Sequence, residues 1–449
     1  MASRLGQHAV IIGGSVAGLT AARVLSDHFA RVTVLERDPV AERPEVRKSV
    51  PQGHHVHTLL LGGERALSAL YPGFTDRLRS MGAVSWRTGL DNAVFRPDGK
   101  VRTLALGSVR EARDLGFDAY NQSRGVLEHC IRRATLEIAN VELRADTSVQ
   151  SVVFENGRVC GVRCGDASVA AELVVDASGR GSRAPRWLAE LGYKPPQETA
   201  IGVDLGYAST RFRVPDSYAE PERYLAFFGP APRYTSGAYL AAIEDGQWIL
   251  TLVGRFGAYP PTDEAGFLAF AASLHTPLLH NLVKDAERVA EIAPFRYAQS
   301  VHRHYERLET FPAGFLVIGD AVCSFNPVYG QGMSTAAQQA RALQQVLAGA
   351  TGLDGLAQAF FPKAAEVIAA PWAFTASADL AFPQTRGDRS VLSKERARYF
   401  SALGELMNDD IEVHRLVAEV LQLAKPLSFL MEEPLRSRVA ERQRQVVPA

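Results

Sequence analysis

Cysteine is scarce: Cys130, Cys160, Cys164 and Cys323 are the four in 449 residues. They are too few and too scattered for a disulfide framework, so a reducing, cytoplasmic setting is expected. Cys160 and Cys164 lack a CxxC spacing and read as core or edge thiols. An excess of one charge is also missing, because 49 Lys and Arg balance 49 Asp and Glu. That balance advertises no nucleic-acid or anionic-membrane surface. Residues 1–7 carry no apolar signal core, and no apolar run approaches the length of a membrane span. A Gly-x-Ser-x-Gly elbow, a Walker loop, a zinc signature, internal repeats and low-complexity stretches are all absent. His54, His55 and His57 share one short loop without a Cys or acid cluster at ligand spacing. They read as loop packing, and no metal site is assigned.

What is present is ordinary globular material, with 47% hydrophobic residues and enough length for two or three structural units. Residues 8–14 read as a buried parallel strand ending on two glycines. Residues 17–25 read as a small-residue helix and 31–36 as a second strand. Residues 37–57 read as loop, 58–70 and 123–139 as helices. The stretch 141–163 holds a hairpin turning at Asn156-Gly157. Residues 172–176 and 315–319 are further buried strands. Between 200 and 256, aromatic and β-branched runs alternate with Pro, Gly and Asp turns, which predicts an antiparallel sheet. A long helix is expected over 333–347. The rest reads mostly helical, broken at Pro371, Pro383 and Pro426.

Three motifs carry chemistry. The first is Gly13-Gly14-Ser15-Val16-Ala17-Gly18 between a strand and a helix. A dinucleotide pyrophosphate needs close backbone approach and free helix N-terminal N–H groups. Gly13 permits the tight turn and Gly18 lets the helix pack on the strand. Ser15 stands where the fingerprint usually has its second glycine. Glu36, followed by Arg37, ends the next strand 18 residues after Gly18, placed to accept from adenosine ribose hydroxyls. The order of strand, loop, helix, strand and acid predicts a Rossmann unit for FAD. The second motif is Asp176-Ala177-Ser178-Gly179-Arg180-Gly181-Ser182. Pro185 intervenes before any helix with a β-partner and terminal acid, so the segment is not read as a second nucleotide loop. The third is Gly319-Asp320-Ala321, then Asn326-Pro327 and Gly330-Gln331-Gly332-Met333. An acid after a strand and glycines opening a helix suit ribityl hydroxyls and an electron-rich ring or phosphate.

Together these segments, from residue 8 to about 345, resemble the flavoprotein monooxygenases related to p-hydroxybenzoate hydroxylase. The resemblance implies that the Gly13–Gly18 loop holds the ADP half of FAD. It places Asp176 near FAD and pyridine nucleotide, and Asp320 at the ribityl chain. Pro327 and the Gly330–Met333 backbone then lie beside the isoalloxazine. Arg124, in Gln122-Ser123-Arg124, matches the arginine that reaches the FAD phosphates or ribose. Two stretches look narrower: Arg47-Lys48-Ser49-Val50-Pro51-Gln52-Gly53-His54-His55-Val56-His57, and Trp248–Leu252 with Tyr259–Asp263. They resemble the actinobacterial branch of polyether-type olefin epoxidases, whose members more often show Gly where Ser49 stands. By that resemblance Arg47 and Gln52 sit near the flavin. Trp248 lies in an expected strand and either lines a substrate pocket or fills a core.

The expected function is FAD-dependent insertion of one oxygen atom from O2 through a flavin hydroperoxide. The first reading is epoxidation of a polyketide or terpenoid alkene in secondary metabolism, such as antibiotic biosynthesis. Aromatic hydroxylation is the alternative; a flavin halogenase, a geranylgeranyl-type reductase and a non-enzymatic flavin-binding module come after it. The halogenase Gly-Trp-x-Trp-x-Ile-Pro segment is absent, the nearest text being Gly246-Gln247-Trp248-Ile249-Leu250. Epoxidation asks little of side chains beyond positioning, and no catalytic acid or base is assigned. Electrons come from NADPH or NADH, directly or through a separate flavin reductase. The partners are O2 and a hydrophobic small molecule; the oligomeric state is open. The expected fold is α/β, a Rossmann-like three-layer FAD-binding domain from 1–72, 108–182 and 291–345. It is interleaved with an antiparallel-sheet substrate domain from 73–107 and 183–290. A helical C-terminal region completes the chain at 346–449, as a cap or a dimer surface.

Overall fold

A computed structural model describes residues 4–103, 106–213 and 222–446. Its first sheet has five parallel strands in the order Phe315–Val317, Leu173–Asp176, Gly6–Ile12, Phe29–Leu35, Val141–Arg144. Covered on both faces, these strands are near-continuous apolar runs: Ala9, Val10, Ile11, Val174 and Val175 are fully buried. The helices Val16–Leu25, Leu61–Leu70 and Gly332–Ala348 pack together beside the sheet. The meander Ser151–Glu155, Arg158–Cys164, Ala167–Ala170 sends Val159 and Val162 into the same core. Its first turn is Asn156-Gly157, both at positive φ, as a tight hairpin requires. All four cysteines are free thiols.

A nine-stranded sheet stands beside this layer. Its long strand Glu198–Arg213 pairs antiparallel with Ala293–Arg303 and Trp248–Arg255. Asn92–Arg96 and Gly99–Val101 extend its far edge. Ala293–Arg303 belongs to this sheet, so a boundary at 290–291 cuts through it.

Two local expectations are corrected. Residues 58–70 open with a short strand, Thr58–Leu59, before the helix Leu61–Leu70 starts. Pro371 does not break its helix, which runs from Leu356 to Leu380 with Pro362 and Pro371 inside it. Burial of Phe360, Phe361, Ala364, Ile368 and Leu380 holds the helix together across the missing N–H groups. Beyond it, Lys394–Asp409, Ile411–Leu421 and Leu435–Val446 enclose a separate core around Leu403, Met407, Val417 and Leu430. Among the described residues, no helix is long and apolar enough to cross a membrane.

Candidate functional site

A cavity of about 1780 Å³ runs along the carboxyl ends of the parallel strands and out between the two sheets. Its first end is built at the turn after Gly6–Ile12. Gly13 has φ +105°, and a Cβ there would meet Ala177 O at 2.6 Å. A Cβ on Gly18 would sit 1.8 Å from Gly13 O, so that crossing of helix and strand excludes any side chain. Ser15 precedes the helix Val16–Leu25 without capping it. Its hydroxyl instead donates to Glu128 Oε2 (2.9 Å) and accepts from Arg124 Nη2 (2.7 Å). The first-turn N–H groups are thus left for a ligand.

Carboxylates and guanidinia interlock behind this loop. Glu36 Oε2 accepts from Gly14 N at 2.7 Å and lies 2.7 Å from Arg47 Nη1. Arg47 Nε donates to Glu128 Oε1 at 2.6 Å. Burial works against the Arg47 charge, but Glu128 and Glu36 outweigh it and raise its pKa. Burial likewise opposes the Glu128 carboxylate, yet Arg124 and Arg47 hold it below the usual range. Arg47 Nη2 and Arg124 Nε remain buried with no hydrogen-bond acceptor among the described residues. Glu128 was not singled out in the sequence. The signal that could have found it is its place one helical turn after Arg124, on the same helix face.

The cavity continues past Asp320 to the helix Gly332–Ala348. Burial pushes the Asp320 carboxyl up, while Arg124 and Arg180 pull it down. Gly330 has φ +65° and ends a single turn, Pro327–Tyr329, capped by Asn326. That loop is pinned from behind. Asp379, fully buried near the end of Leu356–Leu380, accepts from Asn326 Nδ2 (2.8 Å), Tyr329 OH (2.9 Å) and Arg255 Nη1 (3.1 Å). Thr375, from the same helix, donates to Gln331 Oε1 at 2.8 Å.

Beyond the loop the cavity widens against the nine-stranded sheet. Trp86 stacks on Tyr224 at 5.4 Å, and Tyr239 packs on Phe228 at 4.7 Å. Burial raises the phenol pKa of Tyr207, Tyr224 and Tyr239, so these groups stay neutral at physiological pH. Burial lowers His55 to about 3 and His57 to about 4. His55 Nδ1 lies 2.7 Å from Ser209 Oγ, which donates to Thr251 Oγ1. The far end is lined by Phe400, Met407, His414 and Leu430 of the C-terminal helices.

Residues 7–359 match the family described as FAD binding domain. The chain belongs to this family of flavin-dependent monooxygenases. It is 35% identical to Protein Rv3254 of Mycobacterium tuberculosis over 367 residues, 77% of this chain and 75% of that one. It is 26% identical to the 6-methylpretetramide 4-monooxygenase of Streptomyces rimosus over 363 residues, 75% of this chain and 74% of that one. Among solved structures, the flavin-dependent brominase Bmp2 superposes with a TM-score of 0.64 at 17% identity, covering 98% of this chain and 100% of that one. The tetrameric form of 2-methyl-3-hydroxypyridine-5-carboxylic acid oxygenase superposes with a TM-score of 0.62 at 16% identity, covering 90% and 96%. These two likenesses show the fold; the family match over most of the chain is what places it in the p-hydroxybenzoate hydroxylase-like superfamily.

The monooxygenase takes FAD, and the residues present fit it. The glycine cradle leaves no room for a Cβ, and two buried arginines keep unused donors beside it. Of the residues expected at the cofactor, Gly13, Ser15, Val16, Ala17, Glu36, Arg37, Arg47, Gln52 and Arg124 line the cavity. So do Asp320, Pro327, Gly330, Gln331, Gly332 and Met333. Two of the expected cofactor residues, Gly18 and Asp176, do not, and neither does Trp248. Gly18 lies behind the wall, where it serves packing. Asp176 is fully buried; its oxygens accept from Ser178 N (2.9 Å) and Ser182 Oγ (2.6 Å), closing the turn that presents Ser178–Arg180. Trp248 belongs to a core with Phe212, Leu250 and Phe267, so the core-filling alternative describes it.

Proposed function

We propose that this monooxygenase transfers one oxygen atom from O2 to a bulky, largely apolar carbon skeleton of polyketide or terpenoid type, epoxidising an alkene. The observation that carries the reading is the cavity. Its volume of about 1780 Å³ exceeds the roughly 300–1000 Å³ of a single-ligand pocket. Room therefore remains beyond a dinucleotide, and that room is walled by Trp86, Tyr224, Tyr239, Phe228 and the C-terminal helices. Reduced FAD supplies the activation of dioxygen. In this reading Arg124 and Arg47 bind its phosphates, Asp320 and Glu36 its hydroxyls, and the Gly330–Met333 backbone its ring. The aromatic wall orients the substrate and excludes water.

Aromatic hydroxylation is the second reading, favoured by the likeness to 6-methylpretetramide 4-monooxygenase. The proposal includes NADPH or NADH as electron source, directly or through a separate flavin reductase, and a cytoplasmic location. The FAD-loaded enzyme, NADPH, labelled O2 and a panel of polyenes and polycyclic phenols decide between them. A singly labelled epoxide or diol is the expected product, and a labelled phenol establishes the second reading. Saturated product formed without oxygen overturns both. Anaerobic rapid mixing with NADPH, with and without a reductase, identifies the electron donor.

A further inference from the structure

We propose that His302, His304 and Glu306 form a binding site for a divalent transition-metal ion of the zinc type. His302 sits at the end of the strand Ala293–Arg303, and Glu306 lies in the turn Tyr305–Arg307 just after it. Residues two apart in an extended chain face the same way, so His302 and His304 share a side. Their rings stand 4.1 Å apart between centroids. Ligand atoms of the three residues all lie within 4.8 Å of one another. Both imidazoles are buried, at 7% and 6% exposure, while Glu306 is half-buried and leaves a path for entry.

His302 Nε2 is buried and has no hydrogen-bond partner among the described residues. A buried imidazole nitrogen without a partner is costly unless something binds it. Both ring nitrogens of His304 are engaged, so a metal on Nδ1 would replace its hydrogen bond to Glu306. Its Nδ1 faces Glu306 Oε1 at 2.8 Å and its Nε2 faces Thr199 Oγ1 at 2.7 Å. The carboxylate only accepts, so in the metal-free form Nδ1 carries the proton and the Thr199 hydroxyl donates to Nε2. With a metal on Nδ1, the proton moves to Nε2 and Thr199 becomes the acceptor. A threonine hydroxyl serves either role, and such an outer partner orients the ligand ring. Bonds of about 2.0–2.1 Å in a tetrahedron put donors about 3.4 Å apart, which side-chain rotation can reach. Two imidazoles and one carboxylate favour zinc or cobalt over calcium or magnesium. Water fills the fourth position.

None of the three residues lines the cavity, so this site is distinct from the flavin site. Arg303, between the two histidines, donates to Ala321 O at 3.0 Å. The ion would therefore brace the strand that holds the Asp320 turn.

The test uses the full FAD-loaded chain, stripped with chelator and titrated with zinc chloride and cobalt chloride by calorimetry, with metal analysis after gel filtration. We expect one equivalent of zinc, bound at least about tenfold more weakly by His302→Ala and by Glu306→Gln. Zinc raises the melting temperature of the native chain and not that of Glu306→Gln. His54→Ala, on the other histidine-rich loop, leaves binding unchanged. If His302→Ala loses its flavin, Glu306→Gln, at a partly exposed position, decides. The proposal fails if the folded native chain retains no zinc, if both substitutions leave retention unchanged, or if His54→Ala abolishes it.

Discussion

Glu128 shows how one buried carboxylate can organise a binding loop. It receives Arg47 and the Ser15 hydroxyl, and Arg124 Nη2 lies 3.3 Å away. Removing its charge would leave two guanidinia buried with too little compensation. Such a break costs about 3–5 kcal/mol. Glu128→Gln is therefore expected to lower unfolding stability by that order in urea titration, and to weaken FAD binding in fluorescence titration. The acid limb gives a second check. The folded pKa of Glu128 is depressed, so its contribution is complete above the unfolded value of about 4.3 and is lost as pH falls below it. Glu128→Gln should lose stability less steeply than the native chain in that window. A loss below about 1 kcal/mol at neutral pH would show that the network is not what holds the loop. Gly18→Ala tests the same loop sterically. A Cβ 1.8 Å from Gly13 O forces strand and helix apart, so flavin retention after gel filtration should fall to background.

At the scale of elements, the helix Leu356–Leu380 fastens the loop beside the glycines Gly330 and Gly332. Asp379 and Thr375 grip Asn326, Tyr329 and Gln331 across some fifty residues of chain. Burial raises the Asp379 carboxyl, and Arg255, Asn326 and Tyr329 oppose that rise. Asp379→Asn strands Arg255, and a loss of about 3–5 kcal/mol is expected together with a shifted flavin absorption spectrum. The pair Arg255→Met and Asp379→Leu removes both charges and should recover most of the stability but not the native spectrum. A double variant as unstable as Asp379→Asn would refute this account. Nothing in the sequence announced this link, because Asp379 sits in a helix whose neighbours are apolar and small. The parallel strands were legible for the opposite reason. Burial on both faces demands the unbroken runs seen at Ala9–Ile12 and Leu173–Val175. Gly13, Asp320 and Gly330, all on the cavity wall, could be picked out because each follows or opens a regular element. Trp248 was not, since alternation along a strand does not say which face meets a cavity and which a core.

For the whole molecule, acid sensitivity above pH 4 should come from histidines held neutral. Burial lowers His414 to about 4, with Arg113 adding to the shift, and His55 and His57 behave alike. Unfolding returns each to about 6.5, so between those values the unfolded chain binds more protons. Stability therefore rises with pH through this window, by up to about 1.4 kcal/mol per unit for each group. Asp176, Asp320 and Asp379 act the other way, because their raised carboxyls take up protons in the folded state first. The raw profile mixes both signs, and a difference between variants separates them. His414 is 2% exposed at the deep end of the cavity, and glutamine can replace it without a titrating group. Urea unfolding of the native chain and His414→Gln is compared at steps from pH 7 to pH 4. The gap between them should move in favour of the variant as pH falls, by a total of about 3 kcal/mol. Proton uptake on unfolding at pH 5 should drop by close to one in the variant. A gap that stays constant with pH would mean that His414 titrates normally in the folded chain. Water would then reach the C-terminal end of the cavity, against the water exclusion that the oxygen-transfer reading asks for.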